Sequence, residues 1–562
     1  MSRCVTGALR RAMVVSLVCL AGSCSAAVAG ELRPFGHACT LEAYGVRFCP
    51  TPEPTATSDE RVRSWDGAPL DVDVTLPATG NGPFPTIVML HGYDGDKTSY
   101  ETTDPSGGDH YTNVWFAKQG YAVLNLSVRG VGGSCGTPEA RSVDPGVCNN
   151  VAFELGDQRY DARDVQWLLG LLVDEGIANP KELGATGISL GSLETLELAL
   201  LKNRIGLLNG SYAPWRSPKG VPLHLSAAYA SWAITSLGEL AAPNGRFLDY
   251  APGTAAQYRQ MIGVIKGSFP TLVGLINPIA DYSAPPGTGT FPFQADLLEG
   301  ETSQPDSPFM TALGNQLVDY HQSLGMSVGA TPAPILMEDG WEDDIVGGPA
   351  QALMLRDYLS LIAPKAYVAL QLADVGHGLS LNRPADVIAL NDQATQFFDH
   401  FLKGKGTAPA AGSITAYTTP CPAGTPSQGP YVASSWSALH PGAFLFGAAP
   451  TVDVDSGGDP SIGPQIDPVV GQDGHCPTFT ATDYPGSAVY TRRVTKTFTV
   501  FGMPTLRMDV AMTAVTTANS TPVCGTWPPT GRSNWSRPEA TNSRPTSTDR
   551  SSGSCSEPAT GS

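Results

Sequence analysis

The chain has 562 residues, which is too long for one hydrophobic core and predicts two or three domains. Hydrophobic residues make up 41% of it, enough for packed cores, and the formal net charge is −18. Because phosphate binding requires a basic surface, this charge argues against a nucleic-acid partner. The sequence contains no C-x-x-C pair and no cluster of histidine and cysteine ligands, so it predicts no metal site.

The first 29 residues have the pattern of a signal peptide. Three arginines precede an apolar stretch over 12–22, and Ala27-Val28-Ala29 forms a cleavage site of small residues. The apolar stretch is too short to span a membrane. We therefore predict export to the outside of the cell, with cleavage after Ala29 and no stable membrane insertion.

Six cysteines lie between this leader and residue 517. In an oxidising compartment their close spacing favours disulfides, although spacing alone does not settle the connectivity. The expected pairs are Cys39–Cys49, Cys135–Cys148 and Cys421–Cys476.

A Pro/Thr-rich lead-in over 30–63 precedes the first predicted elements. Strands are predicted at Val72–Leu76, Thr86–Leu90 and Ala122–Ser127, and a helix at Asp157–Glu175. His91-Gly92-Tyr93 follows the second of these strands, where such folds hold donors for an oxyanion. We interpret His91 as a structural loop histidine rather than a catalytic one.

The stretch Gly187-Ile188-Ser189-Leu190-Gly191 lies between a predicted strand and a predicted helix. A G-x-S-x-G motif between a strand and a helix is typical of a nucleophile elbow. In such a turn the flanking glycines allow the backbone to fold tightly and the serine hydroxyl is exposed. Ser189 is the candidate nucleophile. The backbone N–H of Leu190, the next residue, is a candidate oxyanion donor.

A serine nucleophile requires a base and an acid, which in this context follow it along the chain. Much of 210–330 exceeds a normal strand-helix unit, so we predict a cap there. An apolar strand at Pro334–Met337 is followed by five carboxylates over 338–344. Asp343 is the favoured acid, with Asp344 and Asp339 as alternatives.

Four histidines follow the acidic loop. His377 comes after a predicted core strand at Tyr367–Leu372 and is flanked by glycines, which allow its ring to reach a neighbouring strand end. His400 falls in a predicted helix, and the other two fall in a later β-rich region. His377 is therefore the candidate base.

The region from about 64 to 405 resembles the serine hydrolases related to X-prolyl dipeptidyl peptidase and bacterial cocaine esterase. Gly340-Trp341-Glu342-Asp343 matches the family's G-W-x-D, and Arg129–Gly136 resembles its R-G-x-G-x-S-x-G turn. The resemblance implies an α/β-hydrolase fold with a helical cap, and an oxyanion hole formed by the Tyr93 hydroxyl and the Leu190 N–H. The chain departs from the family in having Leu190 where a tyrosine is usual, and Val128 where many relatives have an aspartate.

The pattern of the sequence changes after Thr407. Short β-like runs such as Arg493–Val500 and Leu506–Met512 alternate with turns, which predicts a sandwich over 406–516. The resemblance implies a jelly-roll there. Residues 517–562 lack strand periodicity, so we interpret them as a disordered tail or as an out-of-frame translation that leaves the sandwich incomplete.

Taken together, these features predict a secreted serine hydrolase that cleaves small ester, amide or peptide substrates through Ser189, His377 and Asp343, without a cofactor. The resemblance leaves an X-prolyl dipeptidyl aminopeptidase as one alternative. A non-catalytic exported binding protein is the alternative from another class. The sequence indicates no particular oligomeric state.

Overall fold

A central sheet organises the catalytic part of the chain. The computed structural model describes residues 32–443, apart from 56, 243–264, 266–281, 284–290, 304–306, 344 and 379, then 493–509 and a few short strands beyond. Up to residue 433 the strands are β1 Thr40–Leu41, β2 Val46–Pro50, β3 Val62–Arg63, β4 Pro69–Leu70, β5 Val72–Pro77, β6 Phe84–Leu90, β7 Ala122–Leu126, β8 Ala178–Ile188, β9 Arg204–Gly206, β10 Tyr212–Pro214, β11 Ala227–Ser231, β12 Ile335–Gly340, β13 Val368–Ala373, β14 Ile414–Ala416 and β15 Tyr431–Ala433.

Eleven of these strands form one sheet, in the order β1-β2-β5-β7-β6-β8-β11-β12-β13-β14-β15. The strands from β7 to β14 in this order run parallel. At one edge β5 runs antiparallel to both β2 and β7, and at the other β15 runs antiparallel to β14. The order from β2 to β13, in which β5 is reversed between β2 and the parallel strands, is that of the α/β-hydrolase fold.

Helices cover both faces of the sheet, which explains why its central strands are buried along their whole length. The α-helices are α1 Asn113–Lys118, α2 Pro138–Val143, α3 Pro145–Cys148, α4 Asp161–Asp174, α5 Leu190–Leu201, α6 Leu237–Ala241, α7 Phe293–Thr302, α8 Pro308–Tyr320, α9 Ala350–Ile362, α10 Pro384–Lys403 and α11 Trp436–Leu439. Helices α4, α5 and α9 pack on one face, and α1 and α10 on the other. Within the described ranges, none of the helices has the length and apolar character needed to cross a bilayer.

The elements predicted around the candidate site are confirmed. Strands β5, β6, β7, β12 and β13 and helices α4 and α5 lie where the sequence predicted them, within a few residues at each end. The predicted strand at Arg493–Val500 is wrong, because those residues do not form a strand, and Val494 and Val500 are exposed. The later predicted strand at Leu506–Met512 is confirmed over 506–509, within a strand Pro504–Asp509.

The predicted cap boundary at about 210 is wrong. Ala227–Ser231 is a fully buried strand of the central sheet, paired with both β8 and β12. Four of its five residues are alanine or serine, which give little hydrophobic signal within a long insertion. The described part of the insertion after β11 contains α6, α7 and α8.

The insertion is tied to the loop that follows β7. The backbone N–H of Tyr282 donates to the carbonyl of Gly130 (2.8 Å), and the N–H of Phe153 donates to the carbonyl of Tyr282 (2.9 Å). The guanidinium of Arg141 lies 3.4 Å from the centroid of the Tyr282 ring. Arg141 also donates to the carbonyl of Cys135, so the insertion contacts a loop that a disulfide closes.

Two of the expected disulfides are present. Cys39 bonds Cys49 and Cys135 bonds Cys148. Cys421 is also disulfide-bonded, whereas Cys476, its expected partner, lies outside the described residues. The predicted leader over 1–29 lies outside them as well.

The catalytic sheet continues past residue 405, where the sequence analysis ended the domain. Ile414–Ala416 is fully buried and pairs with β13, and β15 follows at the edge. The jelly-roll-like sandwich stays a prediction, because 444–492 and 510–517 lie outside the described residues. The remaining strands are paired in three antiparallel ribbons: β16 Pro504–Asp509 with β21 Arg550–Cys555, β17 Ala518–Ser520 with β20 Thr541–Ser543, and β18 Cys524–Thr526 with β19 Asn534–Ser536.

Buried carboxyl groups lie between α4 and α5. Asp161 on α4 and Glu194 and Glu197 on α5 are all buried. Neither carboxyl oxygen of Glu197 has a hydrogen-bond partner among the residues that the structure describes. Burial, together with the charge of Asp157, raises the pKa of Glu197 well above its ordinary value, and burial raises the pKa of Glu194 to about 8. These carboxyls are therefore protonated in the folded protein at neutral pH.

This cluster predicts that stability falls as the pH rises. A carboxyl whose pKa is raised in the folded state contributes stability that is complete below its unfolded pKa and is lost as the pH rises through the folded value. Glu197→Gln, which keeps the shape without the charge, should therefore raise the Tm at pH 8 by roughly 2 °C or more and leave it nearly unchanged at pH 5. Differential scanning calorimetry at both pH values measures this. Exposed Glu139→Gln is the control, and an equal shift in both variants would contradict the prediction.

Candidate active site

Ser189 lies on a tight turn between β8 and α5. Its backbone has φ 56° and ψ −120°, a left-handed conformation that strains a residue with a side chain. A Cβ on Gly187 would overlap the carbonyl of Gly191, and a Cβ on Gly191 would overlap the carbonyl of Leu90. The two glycines therefore permit the turn, which holds the serine at the carboxyl end of the parallel sheet.

His377 and Asp343 come to Ser189 from the ends of two neighbouring strands. The Nε2 atom of His377 lies 3.0 Å from the Ser189 hydroxyl oxygen. Its Nδ1 atom lies 2.9 Å and 2.8 Å from the two carboxyl oxygens of Asp343. With the carboxylate accepting from Nδ1–H, Nε2 is left to accept the proton of the serine. The structure thus brings together the three residues chosen from the sequence.

Asp343 is held as a charged carboxylate. It is 5% exposed and accepts backbone N–H bonds from Ile345 (3.0 Å), Val346 (2.8 Å) and His377 (3.1 Å). Burial by itself would raise the pKa of Asp343, but the charge of His377 and these hydrogen bonds outweigh it and lower that pKa below its ordinary value. Asp343 therefore stays ionised at neutral pH.

Of the two alternative acids, the structure describes Asp339, which does not take this place. Asp339 is buried in β12, and burial and the charge of Asp343 raise its pKa well above the ordinary value, so that it is protonated. Asp344 lies outside the described residues. Of the two candidate carboxylates that the structure describes, Asp343 is the one that contacts His377.

The two residues expected to form the oxyanion hole are Leu190, which follows the serine, and Tyr93, in a loop that passes close to it. Leu190 is the first residue of α5, so its N–H is among those that a helix leaves without an intrahelical acceptor. The loop of Tyr93 also passes close by, since a Cβ on Gly92 would lie 3.7 Å from the Ser189 Cβ. The Tyr93 ring packs against Phe153, with centroids 5.6 Å apart. The oxyanion role of both residues stays a prediction.

His91 ties this loop to the loop after β7. Its Nε2 accepts from the N–H of Val128 (3.1 Å), so the proton lies on Nδ1, which donates to the Gly92 carbonyl (2.7 Å). Burial lowers the pKa of His91, and the ring stays neutral. This environment agrees with the interpretation of His91 as a structural residue.

Sequence reasoning missed Trp232 and Ser192. The Trp232 ring lies 4.8 Å from the His377 ring, at the end of β11, and its backbone has φ 51°. The Ser192 hydroxyl donates to the Ser189 carbonyl (2.5 Å) and accepts from the Ile234 N–H (2.9 Å), so it joins the elbow to the loop that carries Trp232. The short apolar run at 227–231 was the available signal for both contacts.

Part of the chain matches a known protein family. Residues 66–204 match the X-Pro dipeptidyl-peptidase family (S15 family). This confirms the predicted resemblance and supports a hydrolase. The S15 match includes Ser189 and Leu190 and ends before Asp343 and His377. No curated protein is significantly similar in sequence to the chain.

Solved structures similar to this chain include peptidases and esterases. A puromycin-hydrolyzing peptidase of Mycobacterium tuberculosis is 19% identical, with a TM-score of 0.36 over 66% of this chain and 42% of that one. A CocE/NonD family hydrolase of Staphylococcus aureus is 13% identical, with a TM-score of 0.36 over 66% and 53%. Inhibited esterase B of Lactobacillus rhamnosis is 13% identical, with a TM-score of 0.34 over 65% and 89%. The chain thus spans about half the length of the first two.

Proposed function

We propose that this protein is an exported serine hydrolase that cleaves ester or amide acyl bonds through an acyl-enzyme. The observation that carries the proposal is the hydrogen-bonded chain from Ser189 through His377 to Asp343, with the serine on a strained turn between strand and helix. Binding alone would not require three such residues in this arrangement.

Each of the three residues has its own role in the proposed reaction. His377 Nε2 accepts the proton of Ser189 while the hydroxyl oxygen attacks the acyl carbonyl. The Leu190 N–H and the Tyr93 hydroxyl would stabilise the oxyanion, and His377 then protonates the leaving group. Water, activated by the same histidine, releases the acid from the serine. Asp343 orients the imidazole and stabilises its charged form.

The proposal includes export and small substrates. Two disulfides form in the described part of the chain, and disulfides persist in oxidising compartments. With the leader pattern over 1–29, this supports a location outside the cell. The proposed substrates are small esters, amides or peptides, and the reaction needs no cofactor.

An X-prolyl dipeptidyl aminopeptidase is the second candidate, favoured by the match of 66–204. Such an enzyme must recognise a free amino terminus, for which a carboxylate near the site is the natural partner. Glu239 on α6 lies in the insertion, whereas Asp249 and Asp281 lie outside the described residues. Hydrolysis of p-nitrophenyl acetate compared with Ala-Pro-p-nitroanilide separates the two candidates.

Labelling with a fluorophosphonate tests the proposal. This probe reacts with an activated serine, so the wild-type protein should be labelled and Ser189→Ala should not. Ser360→Ala, which removes an exposed hydroxyl from α9, is the matched control and should be labelled like the wild type. Unchanged labelling of Ser189→Ala would overturn the assignment of the nucleophile. Absence of labelling in folded wild-type protein would favour the non-catalytic binding protein.

A further inference from the structure

Trp341 lies two residues before Asp343, at the end of β12, and contacts parts of the chain that follow the catalytic residues. Its Nε1–H donates to the Tyr417 carbonyl (2.7 Å). Its ring is inclined by 30° to that of Trp436, with centroids 6.4 Å apart, and its centroid lies 5.6 Å from that of Phe501. Three separate stretches after residue 410 therefore converge on one side chain.

The contact with Phe501 brings back a distant segment of the chain. Phe501 is 4% exposed, although the residues just before it are largely exposed. Its ring also packs edge-to-face on Tyr431 of β15, with centroids 5.1 Å apart. Phe501 thus fills a site formed by Trp341 and the edge of the central sheet.

The loop that holds Asp343 has little room to move while these contacts last. The Trp341 N–H donates to the Ala373 carbonyl (3.1 Å), which fixes the end of β12 against the end of β13. A Cβ on Gly340 would overlap the Val375 carbonyl, and a Cβ on Gly376 would overlap the Asp343 carboxylate. The loops that carry Asp343 and His377 are therefore in direct backbone contact, and a displacement of one changes the geometry of the other.

We propose that Trp341 is a positioning residue for the Asp343–His377 pair. The C-terminal part of the chain then acts on the catalytic centre through Trp341, because Phe501 and Trp436 pack against the Trp341 ring. This inference rests on the proposed function. Removal of either partner takes away part of the packing surface of the Trp341 ring, so the loop and its carboxylate can shift. A displacement of about 1 Å in such a site can cost roughly 100-fold in rate.

A purely structural role for Trp341 predicts a different result. Loss of packing alone would lower the Tm and leave the active fraction with normal kinetics. A positioning role predicts a lower kcat with little change in KM. It also predicts that the apparent pKa of kcat/KM moves downward, because a displaced Asp343 stabilises the imidazolium of His377 less.

The test compares Trp341→Phe and Phe501→Ala with Trp115→Phe in the full chain. Trp115 is a matched control, since it is also half-buried and its Nε1–H also donates to one acceptor, Thr395 (3.0 Å), on the opposite face of the sheet. With p-nitrophenyl acetate, both test variants should lose roughly 10- to 100-fold in kcat with KM within about twofold of wild type. Trp115→Phe should keep the wild-type kcat and pH profile.

The positioning role would be overturned if both test variants kept the wild-type kcat and the wild-type pH profile, and only their Tm fell, as in Trp115→Phe. Phe501→Leu, which removes the ring but keeps an apolar side chain, replaces Phe501→Ala if that variant does not fold. Fluorophosphonate labelling of the wild type but not of Ser189→Ala separates this failure from a failure of the proposed function.

Discussion

Asp343→Asn is expected to lower kcat by about 10⁴-fold while the protein stays folded. In the wild type the carboxylate accepts from His377 Nδ1–H, which leaves Nε2 without a proton and facing Ser189. An amide at position 343 can donate to Nδ1 through its NH₂ group. The imidazole proton then lies on Nε2, where it prevents the histidine from accepting the proton of the serine. Steady-state hydrolysis of a p-nitrophenyl ester measures the loss.

Asp339→Asn is the control for this prediction. Asp339 is buried four residues earlier, and its raised pKa keeps it protonated, so an amide replaces a group that is already neutral. We expect this variant to retain most of the activity. A large loss in Asp339→Asn together with normal activity in Asp343→Asn would show that the acid has been assigned to the wrong residue.

Gly191→Ala is expected to lower the free energy of unfolding by about 3 kcal/mol and to abolish most of the fluorophosphonate labelling. The added Cβ would overlap the Leu90 carbonyl and lie 2.8 Å from the His91 carbonyl. Both obstacles are backbone atoms, which cannot rotate away as a flexible side chain can. Relief therefore requires a shift of α5 or of the loop after β6, and either shift displaces a candidate oxyanion donor from Ser189.

Urea denaturation and the rate of labelling, measured on the same preparations, check this prediction. Gly424→Ala is the matched control, because a Cβ there meets no atom within 4 Å. Its stability should stay within about 0.5 kcal/mol of wild type. If Gly191→Ala were as stable and as reactive as Gly424→Ala, the close approach of α5 to the loop after β6 would not matter for the fold or for the site.

The nucleophile turn could be predicted from the sequence because its signal is local. Two glycines around Ser189, an apolar strand before it and a helix after it specify a backbone conformation within a dozen residues. His377 was identified on similar grounds, since a loop after a core strand and flanking glycines are also local features. Asp343 was harder to identify, because five carboxylates lie within 338–344 and the contact with His377 joins segments far apart in the chain.

Other features could not be predicted because they depend on residues far apart in the chain. Four of the five residues of β11 are alanine or serine, so the strand is recognised by its partners β8 and β12 rather than by its own pattern. Trp232 was missed with it, because its position beside His377 depends on where β11 ends.

By itself, therefore, the sequence determined the order of the strands and helices around the site, the tight turn at Ser189 and the residue types available as base and acid. Only the tertiary structure decided which carboxylate reaches the histidine, which aromatic ring lies over it, and that Phe501 packs on Trp341. The physical reason is that backbone conformation follows from neighbouring residues, whereas packing and hydrogen bonds between loops depend on how the sheet brings distant segments together.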